Sequence, residues 1–282
     1  MPRLRIDGEA ELLAFKESGR VSLAEMQRRC NMNLSGNTVL ITGGATGIGL
    51  HLAQALVSRG NRVLICGRRE QRLREARHKV PALETFCCDV GSAGGRRELL
   101  EWSTRVAPAL NVLINNAGIQ NHVNLLKGDV DASGHFDEVS INLEAPIHLA
   151  MLFIAQLTRQ SAAAILNVSS GLAFTPIARA PIYCATKAAL HSFSLSLRHQ
   201  LRNTSVKVFE VAPPLVQSEL HDHQVDSIAT TAGRPTVPAM PTEEFVAQCL
   251  QALEQDQYTK AVGMAANFYE QREKLFGMLN PG

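Results

Sequence analysis

The sequence has little of several things, and each shortage excludes a class. Aromatic residues make up 5% of the 282 positions, with a single tryptophan. No stretch reads as the roughly 20 consecutive apolar residues of a membrane span. An excess of one charge is missing too: Lys+Arg total 28 and Asp+Glu 26, a formal net charge of +2. The basic residues are scattered, so neither nucleic acid nor an anionic membrane is expected as a partner. The six cysteines are Cys30, Cys66, Cys87, Cys88, Cys184 and Cys249. They form no CxxC pair and no metal-binding spacing with histidine, so no metal is expected. Cys66, Cys87 and Cys88 sit in apolar strand-like runs, where a free cysteine behaves as a small hydrophobe. The vicinal pair Cys87-Cys88 also admits a redox reading, weakened because neighbours in a strand point to opposite faces. The N-terminal residues carry charges throughout and lack a signal-peptide core. A reduced, cytoplasmic location is the expectation.

What is present is 45% hydrophobic and 19% charged, enough apolar material for a sizeable core. From about residue 37 the chain alternates β-rich runs with amphipathic segments. The strand candidates are Thr38–Thr42, Arg62–Cys66, Leu83–Cys88, Asn111–Asn115, Ala163–Ser169, Val206–Val211 and Tyr258–Gly263. Helical patterns fall between them at Gly49–Ser58, Arg69–His78, Glu98–Val106, Phe136–Thr158, Tyr183–Leu201 and Glu243–Glu254. This alternation indicates an α/β fold, a single-domain doubly wound parallel sheet with helices on both faces. Residues 34–282 form that domain. Residues 1–33 stand outside it, an extension with short helical patterns or translation from a start upstream of Met32. Residues 213–241, rich in Pro, Thr, Ser and His, read as a substrate loop or a disordered segment.

The first strand runs into Thr42-Gly43-Gly44-Ala45-Thr46-Gly47-Ile48-Gly49. Glycines there allow a tight turn and let backbone amides approach a pyrophosphate at a helix N-terminus. A plain strand-to-helix turn explains the same glycines, but placement after the first strand of a βαβ series favours the nucleotide. The second strand ends in Gly67-Arg68-Arg69, without the acidic residue that would bind a ribose 2′-hydroxyl. Arg68 suits a 2′-phosphate, which points to NADP(H) over NAD(H). Arg69 and Arg72 read as the solvated start of a helix. Asp89 after the third strand either accepts from the adenine amino group or caps the next helix. The fourth strand ends in Asn115-Asn116-Ala117-Gly118, at the strand C-termini where such sheets bind ligands.

Ser169-Ser170 closes the fifth strand, and Tyr183 follows Ser170 by thirteen residues. Tyr183 and Lys187 share a helix face. An adjacent ammonium favours the phenolate, so the pair can exchange a proton with an alcohol or carbonyl oxygen while hydride moves. Ser170 would hold the substrate oxygen. Asn142 could hold a water linking Lys187 to solvent.

The set TGGATGIG, NNAG, Asn142, Ser170 and YCATK resembles the short-chain dehydrogenase/reductase family over about residues 36–265. The resemblance implies a seven-stranded Rossmann sheet and a catalytic tetrad of Asn142, Ser170, Tyr183 and Lys187. It implies cofactor binding by Gly43, Thr46, Gly47, Ile48, Gly49, Arg68, Asp89, Val90, Asn116, Ala117, Gly118, Tyr183, Lys187, Pro213 and Val216. It also implies homodimers or homotetramers built on the helices that contain Asn142 and Tyr183. NNAGIQ, SSGLAF, YCATKAALHSFSLSLRHQLR and VAPPLV look like the DltE-like branch. One departure is Pro213-Pro214 where the family usually has Pro-Gly, which removes a donor and restricts the residue before it.

The implied activity is hydride transfer between a nicotinamide and a small-molecule carbonyl or secondary alcohol. A catalytically silent nucleotide-binding regulator or scaffold on the same fold is the alternative. Gly118–Asn121, Leu172–Pro176 and the 213–241 segment would wall the substrate pocket. Gln120, Leu172, Phe174 and Leu215 are the substrate candidates, and Ile119 adds to an apolar lining. His221 and His223 either reach the pocket or remain in solvent.

Overall fold

The structure, a computed structural model, describes residues 32–127, 137–218, 220 and 238–271. The chain divides into two units, Met1–Met32 and Asn33–Gly282. The first lies outside the described residues except for Met32, as do His221 and His223.

Strands and helices alternate along the second unit. They run β1 (Thr38–Thr42), α1 (Gly47–Ser58), β2 (Arg62–Gly67), α2 (Glu70–Lys79), β3 (Glu84–Cys87), α3 (Ala93–Val106) and β4 (Val112–Asn115). Then follow α4 (Asp137–Leu157), β5 (Ala163–Val168), α5 (Pro181–Gln200), β6 (Val206–Ala212), α6 (Thr242–Glu254), β7 (Thr259–Ala261) and α7 (Met264–Glu270). The sheet order is β3-β2-β1-β4-β5-β6-β7 and every pairing is parallel. All seven strands fall within a residue or two of their expected places.

The strands are apolar on both sides, as a sheet covered on two faces requires. Leu40, Leu64, Leu113, Ile165 and Val208 point into a core closed by Leu99 of α3, Leu149, Phe153 and Leu157 of α4, and Leu201 after α5. Their buried neighbours Val39, Ile41, Val63 and Ile65 face the opposite side of the pleat. Buried Leu52 and Leu56 of α1 and Phe245 and Cys249 of α6 fill other parts of the interior.

Three local features depart from the sequence reading. Helix α3 starts at Ala93 rather than Glu98, because the Ser92 hydroxyl accepts from the Gly95 amide at 3.0 Å and caps it. Helix α4 contains a wide π-turn over Ser140–Glu144. By length and a mean hydropathy of 1.3, α4 also reaches the range of a membrane span. Its buried side joins the core beside β4 and β5.

Cys66 and Cys88 are buried and Cys87 is exposed, the alternation a strand imposes. The Cys88 thiol, and after it burial, push the Cys66 thiol well up.

Candidate active site

A cavity of about 610 Å³ opens at the C-terminal ends of β1, β2, β4 and β5. Its first wall is the turn between β1 and α1. Gly43 has φ +63, and a side chain there would put Cβ 2.9 Å from the Ala117 Cα. A Cβ on Gly49 would lie 2.3 Å from the Gly43 carbonyl oxygen and 2.5 Å from Asn116 Nδ2. The turn is therefore closed by backbone contact that only glycine allows. Thr46 is the N-cap of α1 and makes no side-chain cap bond. The first amides of α1 lack a cap from the Thr46 side chain, and Thr46, Gly47 and Ile48 line the cavity.

Gly67, Arg68, Arg69 and Arg72 line the far end, with Cys88, Asp89 and Val90 beside them. Arg69 donates to the Thr46 hydroxyl at 3.4 Å, and Arg72 donates to Glu75 at 2.9 Å. The arginines assigned by sequence to a solvated helix start thus converge with Arg68 on one wall. Asp89 does not cap α3. Its Oδ1 accepts from the Gly91 amide at 2.8 Å in a local turn.

Asn116, Ala117, Gly118, Ile119, Gln120 and Asn121 form the floor beyond β4. The Thr42 hydroxyl accepts from the Asn116 and Ala117 amides at 3.0 and 3.1 Å. Asn116 Nδ2 in turn donates to the Thr42 and Gly43 carbonyls. Asn142, within the π-turn, clamps the same floor. Its Oδ1 accepts from the Ile119 amide at 2.9 Å, and its Nδ2 donates to the Ile119 carbonyl at 2.8 Å and to Thr186 at 3.3 Å. The fully buried Glu138 accepts from the Asn121 amide at 2.7 Å.

Tyr183 and Lys187 lie one turn apart near the start of α5, a helix opened by Pro181 at its first position. Both line the cavity and both are buried. The Ser170 hydroxyl accepts from the Leu172 amide at 3.1 Å and favours the ionised form of the Tyr183 phenol. Lys187 Nζ donates to the Val168 carbonyl at 2.9 Å and sits 5.7 Å from the centre of the Tyr183 ring. Burial pushes the Tyr183 phenol up to about 12, against a downward pull from Ser170. Burial likewise lowers Lys187 to about 8, opposed by the Glu210 carboxylate. Burial is the largest influence on the phenol and moves it away from neutrality, opposite to the expectation from an adjacent ammonium.

Several candidates stand behind the cavity wall rather than on it. Leu172 packs on Ile177, Ala180, Tyr183 and Cys184. Phe174 meets the His191 and Tyr269 rings edge-on at 5.0 and 4.8 Å. Pro213 lines the cavity, and its carbonyl accepts from the Gly171 amide at 2.9 Å. Buried Val216 bridges to Met240, and the Met240 amide donates to the Leu215 carbonyl at 2.8 Å. The two ends of the 213–241 segment are thereby tied together.

Comparison with known proteins decides what this site belongs to. The model of the short chain dehydrogenase family matches residues 37–229. The chain belongs to the short chain dehydrogenase family. It is an oxidoreductase acting on a small molecule, and within the family it is DltE-like. It is 49% identical over 224 residues to the uncharacterized oxidoreductase DltE of Bacillus subtilis, covering 79% of this chain and 87% of that one. Among solved structures, a short chain dehydrogenase from Burkholderia cenocepacia in complex with NADP superposes with a TM-score of 0.74 at 24% identity. The match covers 88% of this chain and 99% of the other. A Burkholderia phymatum short chain dehydrogenase/reductase in complex with NAD gives 0.76 at 19% identity, covering 88% and 97%. Both share the Rossmann architecture.

Proposed function

We propose that this dehydrogenase uses NADP(H) and moves a hydride between the nicotinamide and a carbonyl or secondary alcohol, with Tyr183 as general acid and base. The observation that carries the reading is Tyr183 on the cavity wall, with Lys187 beside it on the same wall and one turn along α5. The glycine turn and the uncapped N-terminus of α1 suit a dinucleotide pyrophosphate. Arg68, with Arg69 and Arg72 beside it, suits the 2′-phosphate that distinguishes NADP(H).

The bound nicotinamide would supply or accept the hydride; the chain's own residues handle the proton and the geometry. In reduction the substrate oxygen gains negative charge and takes the proton from the Tyr183 hydroxyl. A phenol raised to about 12 is fully protonated at neutral pH and available as that acid. The phenolate left behind is stabilised by the Ser170 hydroxyl and by the Lys187 ammonium across the helix turn. Alcohol oxidation reverses the transfer. Asn142 keeps the Gly118–Ile119 floor in place beside Lys187.

The same reading extends to a homodimer or homotetramer on α4 and α5. Met151 on α4 and Leu195 on α5 are 67% and 46% exposed, apolar side chains on the two helices concerned. The activity is tested by a turnover screen with NADPH and NADH against panels of carbonyls and alcohols. NADPH-favoured reduction of one carbonyl class is the expected result. Tight binding of either cofactor without turnover on any class would overturn the catalytic reading.

A further inference from the structure

Behind the Tyr183–Lys187 pair lies a charged group that the proton transfer described above does not use. Glu210 sits in the middle of β6, in the run Val-Lys-Val-Phe-Glu-Val-Ala, and is completely buried. A carboxylate at such a position carries a large desolvation cost unless it is partnered. Its Oε2 is 2.6 Å from Nδ1 of His191, while Oε1 has no hydrogen-bond partner among the described residues.

His191 follows Lys187 by one helical turn, as Lys187 follows Tyr183, so the three side chains form one stripe along α5. Glu210 lies opposite Asn167 in the β5–β6 register, next to the pair Val168–Val211. Asn167 reaches α5 through a 2.9 Å hydrogen bond to Ser194, and Lys187 is tied to the Val168 carbonyl. Glu210 and Lys187 therefore occupy adjoining positions between β5, β6 and the same helix. The charged and titratable groups around them are His191, Arg198 and Tyr183 from α5 and Tyr258 before β7. On its other side the His191 ring contacts Phe174, which also meets Tyr269.

We propose that Glu210, anchored by His191, is a positioning residue of the active site whose buried carboxylate keeps Lys187 an ammonium behind Tyr183. The unpaired Oε1 fits this role, since the carboxylate acts across space on Lys187 instead of closing a second hydrogen bond. Electrostatics agrees in direction: Glu210 raises Lys187 and Arg198 while burial lowers both. His191 sets the carboxylate's orientation and couples it to the Phe174 wall.

The inference rests on the reading of Tyr183 and Lys187 as the proton-transfer pair. Tyr183→Phe tests that reading separately, because an active Tyr183→Phe enzyme removes the reading and the inference together. With Tyr183→Phe inactive, the pH profile of kcat for carbonyl reduction is measured for wild type, Glu210→Gln and His191→Leu. Glu210→Gln keeps the shape and removes the charge. Its high-pH limb should move down by about one pH unit, a roughly tenfold loss above that limb, with a much smaller loss at low pH. KM for the cofactor should stay near wild type. His191→Leu should move the limb the same way by less, and it carries the test should Glu210→Gln fail to fold. An unmoved limb in a folded variant, or a loss equal at every pH, overturns the proposal.

Discussion

The two halves of the site are built on opposite physical principles. The wall formed by β1, β2 and β4 is made of main chain, with Gly43 and Gly49 pressed against carbonyls and amides and an uncapped helix N-terminus. Its side-chain charges, Arg68, Arg69 and Arg72, stand at the cavity rim. The wall formed by β5, β6 and α5 buries Tyr183, Lys187, Ser170 and Glu210. Backbone amides are polar without being ionised, so the first wall can meet an anion at little cost to the fold. The second wall holds ionisable groups out of water, and burial shifts both Tyr183 and Lys187 away from their ordinary values. On the proposed reading the first half binds and the second reacts.

Removing the reactive hydroxyl should break the comparison most sharply. Tyr183→Phe should lower kcat by about 10²–10⁴-fold, the range of a general acid. Cofactor affinity, measured by fluorescence titration, should remain close to wild type. A parallel loss of affinity would mean that the two walls are not separable. On the binding side, Gly49→Ala forces a Cβ to within 2.3 Å of the Gly43 carbonyl. Overpacking of this kind costs about 1–3 kcal/mol. It should appear as lost cofactor affinity and a lower Tm, and an unaffected Tm would mean that the turn can relax.

Arg68→Ala removes one charge-assisted contact worth about 1.5–3 kcal/mol. NADPH affinity should fall roughly 10- to 100-fold while NADH affinity barely changes. Smaller losses are expected for Arg69→Ala and Arg72→Ala, whose guanidinium groups already donate to Thr46 and Glu75. Equal losses for both cofactors would remove the 2′-phosphate role.

The binding half was largely legible in the sequence, and the reason is physical. Short, near-continuous apolar runs mark strands buried on both faces, and glycines directly after β1 leave few alternatives to a tight turn. Convergence in space was less visible. Arg69 and Arg72 have the composition of an ordinary helix start, and only the fold brings them to the cavity beside Arg68. Of the two roles open to Asp89, adenine contact and capping, the cap goes to Ser92, three residues closer to the Gly95 amide it serves. In the reacting half, Tyr183 and Lys187 are legible from helical spacing, whereas the π-turn around Asn142 has no signal in composition or period. Glu210 did have a signal, a lone carboxylate inside an apolar strand, where an ionised group is hardly ever found without a partner. Its partner His191 is distant in sequence but lies on the helix stripe that carries Tyr183 and Lys187.

The smallest effect expected is also the one that most directly measures the difference between the walls. Lys187 in the folded chain has its proton affinity lowered from the ordinary 10.5 to about 8 by burial. Between those values the unfolded chain keeps a proton that the folded chain has released, so stability rises with pH across this window. Below pH 8 the cost of the buried ammonium is present in full, and a difference of this size corresponds to at most roughly 3 kcal/mol. Lys187→Met removes the titrating group from the same position. Tm followed from pH 7 to pH 9.5 should therefore climb in the wild type relative to Lys187→Met, whatever the offset between the two curves. The slope is what matters, because the variant also loses the hydrogen bond to Val168. Parallel curves would mean that the reacting wall holds its lysine at no cost in charge, and the contrast between a binding half and a strained reacting half would disappear.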